Sequence, residues 1–287
     1  MDHTLLKFIK EHVLYVHKLG IYLVYEAGKY LWEQTDIDGL TKMCLYKYND
    51  RMWDFYAVHR VLKSIDSNVM TEYSTIDKLI HSKSMNFIPF TKGCWDIQKQ
   101  LFRSDFKKTD YLFTTLPFEY KPLLESEPNI NKVAPKICQW LRDRGDGSEI
   151  LVNVLSGVMF SCILQIQNPE RFLFLTGHSA TGQSTFFLLL TLLVSEHNIY
   201  TVSEDDFSCD FSLEDLSEGT PKSLIIFHDI GRTVSSGFIN RIRTLVSSKG
   251  ETKHKRIRRK NKKTGYLQFS GMMCAACPHL REFKRRV

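Results

Sequence analysis

The apolar positions of this chain change period several times, and each change marks an element. Tyr22-Leu-Val-Tyr25 and Tyr30-Leu-Trp32 are short aromatic runs flanking the polar stretch Glu26-Ala-Gly-Lys29, a pattern that predicts a β-hairpin. Over residues 40–65 the apolar residues recur at roughly helical spacing and predict a helix pair. The regularity then fails. Asn86-Phe-Ile-Pro-Phe90, Gly93-Cys-Trp-Asp96, Leu116-Pro117 and Lys121-Pro122 are short extended pieces between turn formers, and residues 126–131 (Ser-Glu-Pro-Asn-Ile-Asn) read as a linker. Helical spacing returns over 132–144, with Val133, Ile137, Trp140 and Leu141 on one face. Asp146-Gly-Ser148 then caps a second helix over about 149–165. From residue 171 onward, apolar strands predicted at 172–175, 199–202 and 223–227 alternate with helices at 184–195 and 234–247. The chain thus divides into an α+β region, residues 1–131, and an α/β domain, residues 132–287.

Composition adds three constraints. The chain has 287 residues, 43% hydrophobic and 25% charged, which suits a soluble globular protein of one large domain or two modest ones. Its longest apolar stretch, 150–166, is interrupted by Asn153, Ser156, Ser161 and Gln165; it is short for a membrane span and predicts a buried helix. Seven scattered cysteines, an odd number, and an opening stretch without a secretory pattern point to a reducing intracellular compartment. That compartment is the cytoplasm of a host or, for an organelle-encoded chain, a chloroplast or mitochondrion.

Charge is concentrated in one place. Residues 253–263 carry Lys253, Lys255, Arg256, Arg258, Arg259, Lys260, Lys262 and Lys263 and no acid, eight positive charges against a net +7 for the whole chain. A local excess of this sign usually meets phosphate, and the bland alternative is a solvated basic loop.

Residues 171–185 are the most informative segment. The apolar run Phe172-Leu-Phe-Leu175 suits a buried strand, Gly177 and Gly182 stand five apart, and Ser184 and Thr185 open an apolar helix. Strand, glycine-bounded loop and helix make a cup of backbone N–H groups that can cradle phosphate. Its members are Gly177, Ala180, Thr181, Gly182, Gln183, Ser184 and Thr185. The G-x-x-x-x-G-K-[ST] pattern requires lysine where this chain has Gln183. A second element would be an acid at a strand tip beside the loop, to hold Mg²⁺ and polarise a water. Ser223-Leu-Ile-Ile-Phe227 followed by His228-Asp229 fits, with Ser184 and Asp229 as metal ligands and Asp229 as the catalytic acid group. Asp229 would otherwise only cap the segment that follows. Cys274 and Cys277 have metal-like spacing but lack a second pair, which argues against zinc.

On these residues the chain resembles the superfamily 3 helicases, the helicase half of phage, plasmid and poxvirus-type primase-helicases. The stretch from Asn86 to Asp96 is similar to the family's N-x-x-N-G-hydrophobic-x-D segment, and that from Asp110 to Tyr120 to its Thr-x-Leu-Pro-Phe-x-Tyr segment. Residues 137–194 follow its order of helix, helix, strand, phosphate loop and helix, and Leu245-Val-Ser-Ser-Lys-Gly-Glu251 resembles the step before its DNA-contacting hairpin. The resemblance implies a P-loop NTPase core of the AAA+ type, ATP and Mg²⁺ as cofactors, and a homo-hexameric ring around single-stranded DNA. It also implies that residues 253–263 form the DNA-contacting hairpin, returning through Gly265.

The departures from that family define the expected chemistry. Gln183 is neutral, the usual pair of acids is reduced to His228-Asp229, and Gly271-Met-Met-Cys-Ala-Ala-Cys-Pro278 offers no polar sensor. The segment that would carry an arginine finger is missing before Val287. The reading is therefore a DNA-replication helicase or NTPase by descent, from a mobile element or organellar plasmid, impaired in hydrolysis and truncated at its C-terminus. The alternatives are a non-catalytic DNA-binding subunit and a decayed, non-functional reading frame.

Overall fold

A computed structural model describes residues 3–16, 21–47, 54–65, 86–122, 130–164, 171–178, 180–209, 212–217, 222–228, 230, 234–246, 255–257, 265–267, 269 and 271–277. Helix α1 (His3–His12) leads directly into β1 (Val13–Val16), followed by β2 (Ile21–Glu26) and β3 (Leu31–Thr35). These strands form an antiparallel sheet in the order β1-β2-β3, and β2 with β3 is the expected hairpin. Tyr30 belongs to its turn rather than to the strand, with a left-handed φ of 59°. The predicted helix pair is α2 (Ile37–Lys47) and α3 (Phe55–Ile65). Leu5, Phe8 and Ile9 of α1 pack with Leu40, Val58 and Leu62 over the sheet.

A second antiparallel sheet follows: β4 (Phe87–Phe90), β5 (Gly93–Asp96) and β6 (Leu101–Arg103). Residues 111–122 then run without regular structure, held by backbone bonds from Trp32 N–H to Leu112 O (2.8 Å) and from Leu116 N–H to Pro89 O (2.7 Å). A buried hydrogen bond from the Thr114 hydroxyl to Asn198 Oδ1 (2.7 Å) joins this segment to the second half of the chain.

The helix expected over 132–144 is two helices, α4 (Ile130–Val133) and α5 (Pro135–Arg144). Proline cannot donate the bond an uninterrupted helix needs, and Pro135 sits at the first position of α5 instead. The buried face of α5 is Cys138 and Leu141, while Ile137 is exposed. Of the predicted linker, residues 126–129 lie outside the described residues, and Ile130 and Asn131 begin α4. Helix α6 (Glu149–Leu164) has Ser148 at its start, whose hydroxyl accepts from Leu151 N–H (3.4 Å). The buried helix that its composition predicts is buried on one face, through Leu155, Val158 and Cys162, while Ile150 and Phe160 face outward.

The remaining elements alternate: β7 (Phe172–Thr176), α7 (Gln183–Leu193), β8 (Ile199–Ser203), α8 (Glu204–Ser208), α9 (Glu214–Ser217), β9 (Leu224–His228) and α10 (Ser236–Val246). Two short strands, β10 (Lys255–Ile257) and β11 (Gly265–Leu267), pair antiparallel, and β12 (Met272–Cys277) follows. Strands β7, β12, β9 and β8 form a parallel sheet in that order.

Successive side chains of a strand point to opposite faces, so a near-continuous apolar strand must be covered on both. Here one face carries Phe172, Phe174, Ile225, Phe227, Met273 and Ala275 against Phe207 of α8, Leu216 of α9 and Phe238 of α10. The other carries Leu173, Leu175, Leu224, Ile226, Met272 and Cys274 against α5, α6 and α7. The sheet therefore lies between two helical layers, as the α/β pattern requires.

Strand β12 is the last in sequence but occupies the position between β7 and β9. The expectation that the strand ending at His228 lies directly beside the loop strand is thus corrected. The small and apolar run Met272-Met-Cys-Ala-Ala-Cys277 fills that slot, almost entirely buried. One strand spacing on either side separates β7 from β9 by about 10 Å.

Candidate functional site

Parallel strands present all their carboxyl ends at one edge, where ligands of such sheets bind. The register aligns Thr176 with Cys277, Phe227 with Ala275, and Ser203 with His228, so the four strands end together. The segment singled out by sequence leaves β7 at this edge and enters α7 at Gln183.

Its local geometry follows from its residues. Gly182 precedes α7 with φ +93°, a left-handed conformation that favours glycine, and Ala180 is also left-handed at φ 66°. The Thr181 amide and hydroxyl both donate to His178 O, at 3.3 and 2.8 Å, which closes the loop on itself. A Cβ on Gly177 would lie 3.0 Å from Thr181 Oγ1 and 3.4 Å from Gln183 Nε2, so the turn is tight at its start as well. Ser179 lies outside the described residues.

The first backbone bond of the helix runs from Phe186 N–H to Gly182 O (2.9 Å), and no side chain caps the helix. The N–H groups of Gln183, Ser184 and Thr185 therefore have no helical acceptor, and they stand at the positive end of an 11-residue helix. These amides, with glycine at both tight positions, fit a phosphate.

Gln183 uses its side chain inwardly. Nε2 donates to Leu175 O (3.5 Å) and Gly177 O (3.4 Å), both long contacts with the loop's own carbonyls. A neutral amide tied to the base of the loop adds no charge to it. The first turn of α7 holds Ser184 and Thr185, both exposed.

A residue that sequence reasoning missed lies beside them. Arg144, the last residue of α5, places its guanidinium on the loop, with Nη1 3.4 Å from Thr181 O. A Cβ on Gly182 would lie 3.1 Å from Arg144 Cδ and 3.3 Å from Trp140 Cζ2. Arg144 is 37 positions upstream of Thr181, and only the fold brings them together.

Asp229 lies outside the described residues; the strand that precedes it ends at the exposed His228. Of the basic run, Lys253, Arg258, Arg259, Lys260, Lys262 and Lys263 also lie outside them. Lys255 and Arg256 are in β10, which pairs with β11 through Lys255 and Leu267, Arg256 and Tyr266, and Ile257 and Gly265. This is the backbone pairing expected of a hairpin returning at Gly265.

Cys274 and Cys277 are three positions apart on β12, so they point to opposite faces and cannot share a ligand. Burial pushes the Cys274 thiol well above its ordinary range, and burial pushes that of Cys162, packed in the same layer, up to about 12. Both are held as inert thiols. Among the described residues no helix is long and apolar enough to cross a membrane.

No protein-family model and no curated protein matches this chain. Its fold is similar to that of solved structures of the NrS-1 C-terminal region. The apo structure of that region aligns with a TM-score of 0.50 at 13% identity, over 97% of this chain and 58% of that one. Its A form gives 0.48 at 13% identity, over 92% and 53%. The chain spans little more than half the length of these structures.

Proposed function

We propose that this chain is a helicase-related protein of DNA replication whose α/β domain is a P-loop NTPase core of the AAA+ type. In this reading it binds ATP or ADP at the loop of residues 177–185 and contacts single-stranded DNA through residues 253–263. The observation that carries it is the left-handed Gly182 leading into α7, whose first amides are without helical acceptors at the carboxyl edge of a parallel sheet. The fold likeness to the NrS-1 C-terminal region supports the architecture on which this rests.

The backbone amides of Gln183, Ser184 and Thr185 would hold phosphate oxygens. Ser184, in the first turn, would donate its oxygen to Mg²⁺ together with Asp229. The bound metal would supply charge neutralisation at the phosphates. Assembly as a homo-hexamer belongs to the same reading.

Hydrolysis is a separate matter. Gln183 hydrogen-bonds the loop's carbonyls, and β12 ends in Ala275, Ala276 and Cys277, none of which orients a water as an amide side chain would. Each missing electrostatic contact is worth on the order of 10²-fold in rate. We therefore expect Mg²⁺-dependent binding of a fluorescent mant-ATP together with DNA-stimulated ATP hydrolysis near background. Turnover of a few per second by the purified chain would overturn the second expectation.

A non-catalytic DNA-binding subunit is favoured by one observation, the confinement of eight Lys and Arg to residues 253–263. That reading predicts DNA binding without any Mg²⁺-dependent nucleotide affinity, so the mant-ATP titration separates the two.

A further inference from the structure

A cation stands against the positive end of α7. Like charges at close range are unfavourable, and side chains near a helix N-terminus are ordinarily acidic or capping. Yet Arg144 Cδ lies 3.1 Å from where a Gly182 Cβ would be, its Nε lies 3.6 Å from the same point, and Nη1 reaches Thr181 O. An anion between the guanidinium and the α7 amides turns this juxtaposition from repulsive to attractive.

The position of Arg144 is fixed by its own helix end. Gly145 N–H donates to Leu141 O (2.9 Å), Gly147 N–H to Arg142 O (3.1 Å) and Ser148 N–H to Gly145 O (2.8 Å). Asp146 and Gly147 are both left-handed, with φ of 48° and 71°. This double reversal turns the chain from α5 into α6 immediately after Arg144, which sets where its backbone leaves the helix.

Among the described residues no carboxylate pairs with Arg144, and the adjacent Asp143 accepts from Gln139 Nε2 (2.7 Å) instead. Its described hydrogen bond, 3.4 Å to Thr181 O, is long, which leaves most of the fork's five N–H donors for another acceptor. Arginine binds phosphate oxygens two at a time, which a lysine cannot do.

Resting on the phosphate-loop reading above, we propose that Arg144 supplies the cation of this site, contacting the phosphates of a nucleoside di- or triphosphate in place of the lysine that Gln183 replaces. The charge thus arrives from the preceding helix rather than from the loop.

The test is titration of the full chain with Mg²⁺-mant-ATP and Mg²⁺-mant-ADP, with thermal unfolding recorded for every variant. Arg144→Ala is expected to weaken both nucleotides roughly 10- to 100-fold, the scale of a charge-assisted hydrogen bond, without lowering the unfolding temperature. Arg144→Lys should recover part of the loss. The double variant Arg144→Ala with Gln183→Lys should recover most of it, because it returns a cation from the other side of the loop. An Arg144→Ala affinity within about twofold of the parent overturns the proposal and leaves the phosphate loop standing. Loss in Arg144→Ala that neither Arg144→Lys nor the double variant relieves assigns Arg144 a structural role and also overturns it. If the parent chain binds neither nucleotide, the loop reading fails and this inference with it.

Discussion

Gly271→Ala is expected to destabilise the chain by about 3 kcal/mol or more, the upper range for forcing extra volume into a packed interior. Gly271 is where the chain enters β12, and Met272 N–H donates to Ser223 O (2.9 Å). A Cβ there would lie 2.3 Å from Ser223 O, 2.6 Å from Ser223 C and 2.7 Å from Ser223 Cα. All three are backbone atoms, so no side chain can rotate out of the way. Relief requires β12 to shift against β9, and these are the two inner strands of the four-stranded sheet: Cys274, Ala275, Ile225 and Phe227 are all 0% exposed. A loss of this size is a large part of the total stability of a typical domain, about 5–15 kcal/mol.

The control is Gly157→Ala in α6, where nothing lies within 4 Å of the added atom. There the substitution should stabilise by about 0.5–1 kcal/mol through helix propensity. Urea unfolding of both variants makes the comparison. Equal midpoints for the Gly271 variant and its parent would mean that β12 is not clamped between β7 and β9.

The sequence made much of this arrangement legible, for a physical reason. Strands β7 and β9 carry apolar residues on both faces, so they read as unbroken apolar runs such as Phe172-Leu-Phe-Leu175, and the bounds of β7, β8 and β9 fall within a residue or so of expectation. The loop was legible because its tight turns draw on glycine and its helix opens with Ser184 and Thr185.

Other features left weaker signals. The break at Pro135 follows from proline chemistry, but the apolar spacing continues across it and reads as one helix. Helix α1 carried its own signal in Leu5, Phe8 and Ile9, spaced three and four apart. The one-sided burial of α6 was not readable, since Ile150 and Phe160, both exposed, are as apolar as Leu155 and Val158, both buried.

Two features had no local signal at all. The insertion of β12 between β7 and β9 is a matter of strand order, which spacing along a chain does not encode. Arg144 looked like one more basic residue at the end of a helix, and only the packing of α5 on Gly182 brings it to the loop. The candidate site is therefore a loop that the sequence announces and a cation that the fold adds.

The largest effect on binding is expected from Lys255, Arg256, Arg258 and Arg259. The run they belong to holds more positive charge than the whole chain's net +7, so the affinity for single-stranded DNA should depend on it. With roughly three to five phosphate contacts, the slope of log affinity against log salt should be about −2 to −4, because each contact releases condensed counterions. Replacing the four residues with alanine should flatten that slope and lower affinity by about 100-fold or more at low salt. All sequences should weaken alike, since groups that read phosphate carry no base information. Folding should survive, because the sheet and its two helical layers draw their buried contacts from other residues. Fluorescence anisotropy on two unrelated oligonucleotides across a salt series measures slope and sequence dependence together. A slope unchanged by the four substitutions would show that DNA is held elsewhere on the chain, and a loss confined to one oligonucleotide would show that these side chains read bases.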